Sequence, residues 1–117
     1  MRDQARGVFQ GRIVVAEGAD RTDARMGHHA LLLNDGAEID AKPELEIYAD
    51  DVACAHGNTV GALDEEALFY ARQRGIPEDE ARAMLTEAFL GEVVDRIEHE
   101  GAREIARAFV ASHGVTA

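Results

Sequence analysis

Lys42-Pro-Glu-Leu-Glu-Ile-Tyr-Ala-Asp-Asp-Val-Ala-Cys-Ala-His-Gly-Asn-Thr-Val-Gly-Ala-Leu-Asp-Glu-Glu-Ala-Leu-Phe-Tyr-Ala-Arg-Gln-Arg-Gly75 is the stretch that decides how this chain is read. Its first part has the period of a half-buried strand: Leu45, Ile47 and Ala49 alternate with Glu44, Glu46 and Tyr48. Asp50-Asp51 reads as a corner. Val52 to His56 reads as one more short strand, ended by Gly57-Asn58. The only cysteine, Cys54, lies two residues before His56. At Asp64 the character changes. Asp64 is a good helix N-cap, and Glu65 and Glu66 suit the positive end of a helix dipole. Arg72 and Arg74 fall in the last turn. Gly75 then supplies a left-handed C′ residue, with Ile76 as the apolar C″ residue of a Schellman close.

Working outward, the upstream residues continue the strand character. Gly7 to Ala16 carries Val8, Phe9, Ile13, Val14 and Val15. Glu17 to Asp23 is polar and turn-like. Ala30 to Leu33 is a second apolar run that stops at Asn34-Asp35-Gly36, and Ala37 to Asp40 follows. Pro43 is expected at a strand edge or start, since it cannot donate to a ladder. No helical crossover fits between these runs. They permit either a small sandwich or a stack of β-helix coils.

Downstream, Pro77 is expected at the first position of a helix whose first turn holds Glu78, Asp79 and Glu80. Leu85, Phe89, Val93 and Ile97 form its i, i+4 stripe, which Ala81, Ala88 and Val94 widen. Gly101 interrupts. Ala102, Ile105, Ala106, Phe109 and Val110 form the face of a last helix, closed by Gly114. The expected architecture is therefore mainly β with two to three amphipathic C-terminal helices. The division falls between residues 1–62 and 63–117.

The bulk numbers bound the function. One domain, or one compact piece of a larger one, fits 117 residues. A net charge of −11 disfavours nucleic acid and anionic membrane, which draw affinity from clustered Lys and Arg. No apolar run approaches the roughly 20 residues that span a bilayer. Met1 to Gln10 lacks the apolar region of a secretory signal, and one cysteine suits a reducing compartment, so a cytoplasmic location is expected.

Cys54 and His56, at i and i+2 on a strand, leave the same face with Cα atoms roughly 6.5–7 Å apart. Thiolate and imidazole are ligands for zinc and iron–sulfur centres, but two ligands do not close a tetrahedral site. On residue types alone, a buried cysteine beside a hydrogen-bonded histidine is the commoner arrangement. His28-His29 cannot share one ion, because neighbours on a strand point to opposite faces, and both suit the surface. His99 and His113 are assigned to helix C-terminal ends, where a cation is favoured. No nucleophile elbow and no phosphate-binding loop occurs. A Cys–His nucleophile pair is the weakest option, since i and i+2 on a strand rarely meet in hydrogen-bond geometry.

Lys42 to Val52, Cys54-Ala55-His56-Gly57, Thr59-Val60-Gly61, Leu63 to Glu66, Phe69-Tyr70 and Arg74-Gly75-Ile76 together resemble the C-terminal region of the SufB/SufD family, on its SufD side. Weaker similarity reaches from Gly11 to Ile97. This family serves the SUF iron–sulfur cluster assembly system. The resemblance implies a right-handed parallel β-helix, here truncated, followed by helices. It implies a non-catalytic scaffold that pairs with SufB, or with itself, and contacts the SufC ATPase. His56 corresponds to a family histidine at the subunit interface, implicated in forming the nascent cluster, and Cys54 to its neighbouring cysteine. Asp64, Glu65, Glu66, Phe69, Tyr70, Arg74 and Phe89 are the candidate partner-binding residues. No cofactor is expected on the chain alone, and an iron–sulfur cluster only in complex. Family members are several times longer, so the chain reads as an excised fragment or a short homologue. An open end of the coil stack is expected to dimerise or to be capped, with the last helix a candidate cap. The competing expectation is a stand-alone homodimeric interaction domain without a cluster role.

Overall fold

The computed structural model describes residues 1–113, excluding the side chain of His113. The closure expected at Gly114 and the role given to the His113 side chain lie outside the described residues. The chain forms two compact units, one ending at Ala62 and the other starting at Leu63.

The first unit contains β1 (Arg6–Val15), β2 (Asp23–Leu31), β3 (Glu38–Ile47) and β4 (Ala53–Gly61). They form two parallel two-stranded sheets. β1 runs beside β3, from Arg6 opposite Glu38 to Val15 opposite Ile47. β2 runs beside β4, from Asp23 opposite Ala53 to Leu31 opposite Gly61. Among the described residues no strand pairs with its neighbour in sequence, so these strands form no hairpin. The connection that parallel pairing demands is supplied by a strand of the other sheet, rather than by a helix.

Alternation organises the interior. Gly7, Phe9, Gly11, Ile13 and Val15 of β1 are the less exposed set, and Val15 is buried. Ile39, Ala41, Pro43 and Leu45 are their counterparts on β3. The Phe9 ring stacks on the His28 ring of β2, with centroids 4.4 Å apart and planes 18° apart. Gly11 is required by close approach. A Cβ there would run into the Met26 sulfur and lie 2.9 Å from the Phe9 ring. On the outer face, Arg6 bonds Asp40 at 2.5 Å. Arg12 reaches Glu44 at 2.9 Å and Glu46 at 3.5 Å.

Three expectations need correction. β2 begins at Asp23, well before the apolar run at Ala30, because pairing with β4 extends it. Ala37 to Asp40 and Leu45 to Ile47 belong to one strand, with Pro43 in its middle opposite Gly11. Among the described residues β3 has only β1 as a partner, so the proline still sits in an edge strand. Gly57-Asn58 does not end β4, since both residues pair with Gly27 and His28.

The second unit holds α1 (Glu65–Gln73), α2 (Glu78–Val94) and α3 (Glu100–His113). The Asp64 carboxylate accepts from the Glu66 and Ala67 amides at 2.9 and 3.3 Å, capping α1. Gly75 has φ +85°, and the Gly75 and Ile76 amides donate to the Arg72 and Ala71 carbonyls at 3.0 and 3.2 Å. That is the predicted Schellman close. Pro77 is the N-cap of α2 rather than its first residue. The predicted α2 stripe holds at Ala81 and Val94, which are buried, and fails at Val93, which is 62% exposed, and at Ala88, which is also exposed. α2 packs against α1 and against α3, so apolar residues on two sides are used, and Ala81 and Thr86 are buried with Val94. The helix stops at Val94, leaving Ile97 in the link. Gly101 lies within the first turn of α3 instead of preceding it.

Candidate functional site

β4 carries the candidate site. Cys54 lies opposite Ala24 and His56 opposite Met26, so the two share one face of the β2–β4 sheet. Cys54 is a free, half-buried thiol, and His56 is exposed. From Ala55 to Gly61 every residue is exposed, including Asn58 and Val60 on the same face as His56. β4 thus offers a sulfur and an imidazole at the edge of an open strand. Among the described residues, no group of three or more His, Cys, Asp or Glu side chains is placed to hold a metal ion.

The histidine pair divides as the alternation requires. His29 is exposed, and its Nδ1 lies 2.7 Å from the Thr59 hydroxyl. His28 is half-buried against Phe9, and its Nδ1 is buried without a hydrogen-bond partner among the described residues. The surface role expected for both holds only for His29. The residues could have signalled this, since His28 shares the parity of Met26.

On the helical unit, Phe69 and Tyr70 are 66% and 61% exposed. The Arg74 guanidinium donates to the Tyr70 hydroxyl at 2.5 Å and lies 4.8 Å from the ring centroid. The two side chains thus combine a hydrogen bond with a cation–π contact across one turn of α1. Glu65 and Glu66 are exposed in the first turn. Phe89 is half-buried in α2 and so departs from the exposed set. A groove of about 450 Å³ between α2 and α3 is lined by Glu87, Gly91, Val94, Asp95, Arg107 and Ala108, among others. These lining residues include neither a nucleophile nor a general base paired with one. No described helix is long and apolar enough to cross a membrane.

The family model described as "SUF system FeS cluster assembly, SufBD core domain" matches residues 1–89. This chain is a member of the SufBD family. It is SufD-like: it is 47% identical over 102 residues to the iron–sulfur cluster assembly protein SufD of Escherichia coli, covering 87% of this chain and 24% of that protein. It is 36% identical over 104 residues to the SufD of Bacillus subtilis, covering 89% and 24%. A SufBD family protein of Synechocystis is 41% identical over 95 residues, covering 81% and 21%. The chain therefore spans about a quarter of the length of these SufBD relatives. The SufBD match includes all four strands, the Cys54–His56 pair, α1 and the first part of α2.

Proposed function

We propose that this chain is a non-catalytic scaffold piece of SUF-type iron–sulfur cluster assembly. Its first unit pairs with SufB, or with a second copy, and its second unit contacts the SufC ATPase. The observation that carries this reading is the Cys54–His56 pair, presented on one face of an open strand with no third ligand among the described residues. Half a ligand set on an exposed strand suits a cluster completed by another subunit. The iron–sulfur cluster is cargo of that pair of subunits. The parallel stacking of β3 on β1 and β4 on β2 supports a β-helix whose successive coils are one strand from each sheet. The exposed Phe69, Tyr70 and Arg74, with Asp64, Glu65 and Glu66, support α1 as the ATPase-contacting element. Phe89, half-buried on α2, is the least exposed of the proposed contact residues.

Co-purification with SufB and SufC homologues tests the reading. We expect a three-component complex that survives His56→Ala while cluster assembly in cells is lost. No complex, together with normal assembly in the His56→Ala variant, would overturn it.

A second reading is a stand-alone homodimer without a cluster role, favoured by the exposure of β4. Sedimentation decides this: a monomer at micromolar concentration removes it.

A further inference from the structure

α3 starts on a histidine. The His99 carbonyl accepts the Arg103 amide at 3.0 Å, the first helical hydrogen bond, which makes His99 the N-cap. Its Nδ1 accepts the Ala102 amide at 3.2 Å. This is the bond that a Ser or Asp oxygen ordinarily makes to the third residue of a helix. The imidazole lies over Gly101, where a Cβ would stand 3.4 Å from Cε1 and 3.7 Å from Nδ1. Gly101 is a poor helix former, so the first turn relies on the cap. The placement reverses the expectation for this residue, which put it at a helix C-terminal end.

A backbone amide can only donate. Nδ1 must therefore keep its lone pair, and the ring proton sits on Nε2. We propose that His99 is a proton-sensitive cap: the neutral imidazole closes the start of α3, and the imidazolium releases it. Protonation turns Nδ1 into a donor facing a donor. It also sets a positive charge at the positive end of the helix dipole.

The charged groups around this corner are Asp95 and Arg96 after α2, Glu98 and Glu100 beside His99, and Arg103 and Arg107 on α3. Arg107 is held by Asp95 at 2.6 Å. Arg103 donates to the Ile97 carbonyl at 3.0 Å. Glu98 and Glu100 flank His99 in sequence. Release of the first turn therefore loosens the Arg103 tether before the Arg107 one, which lies a turn further along. The consequence is an α2–α3 corner whose closure follows pH.

Amide exchange and NMR titration of the full chain between pH 5 and 8 test this. In the wild type, the Ala102 amide resonance should move with the midpoint of the His99 ring. Its protection factor should fall about fivefold below that midpoint, the size of a lost N-cap. His99→Asn, which caps without titrating, should keep α3 protected across the range. His99→Ala should show the low protection at every pH. An Ala102 amide indifferent to the His99 titration, or the same pH dependence in His99→Asn, overturns the proposal.

Discussion

The two units hold their backbones in opposite ways. In the strand unit, order comes from residues far apart in sequence: Arg12 meets Glu44, Phe9 meets His28, and Gly11 makes room for Met26. In the helical unit, the decisive contacts are three to five residues long: Asp64 to Ala67, Arg74 to Tyr70, Ile76 to Ala71. Long-range pairing carries a loop-closure cost before any contact is gained. Local caps carry little of it, but each stabilises only one helix end. Damage to the strand unit should therefore be felt across a whole sheet, and damage to a cap at one turn.

The largest effect should come where the helical unit departs from this local pattern. Leu68 is the buried residue of α1. Leu68→Ala should cost about 3 kcal/mol through lost burial and the cavity left behind, read as a drop in the denaturant midpoint. An effect below about 1 kcal/mol would mean that local bonds alone hold α1. Next is Gly11→Val, which drives a side chain into Met26 and Phe9. About 2 kcal/mol is expected, with amide protection lost along both β1 and β3. Loss confined to the residues beside position 11 would break the contrast drawn above. Asp64→Ala should cost about 1 kcal/mol, with faster exchange at Glu66 and Ala67.

The smallest effect concerns the outer ladder. The Lys42 ammonium, followed by the Arg12 guanidinium, holds the Glu44 carboxyl below the usual carboxylate range. A carboxyl whose folded pKa is lowered contributes stability above its unfolded pKa and loses it as pH falls through the folded one. Acidification from neutrality should therefore weaken the β1–β3 pair slightly, and Glu44→Gln should remove that slope. Because these groups are solvated, added salt should mask the difference.

The same contrast explains what was legible beforehand. α1 could be read to the residue, because Asp64, Gly75 and Ile76 act locally. β2 could not. Asp-Ala-Arg-Met-Gly-His-His-Ala-Leu contains no β-branched residue, and its conformation is set by a partner thirty residues away. Gly57-Asn58 carries turn chemistry but is held extended by Gly27 and His28. Sequence alone puts His99 at the wrong end of a helix because Gly101 reads as a break, whereas the break falls between Val94 and Glu100. At the candidate site, the shared face of Cys54 and His56 followed from the strand period alone. The openness of β4 around them did not, because it depends on which layers cover that strand.

The Tyr70–Arg74 contact has a practical side. The chain has no tryptophan and two tyrosines, one in each unit: Tyr48 just after β3 and Tyr70 on α1. Its near-ultraviolet emission is therefore the sum of two reporters. One of them, Tyr70, sits against the Arg74 guanidinium, so its emission should change when α1 unfolds and the contact is lost. Tyr70→Phe leaves a fluorophore that watches only the strands, and Tyr48→Phe leaves one that watches only the helices.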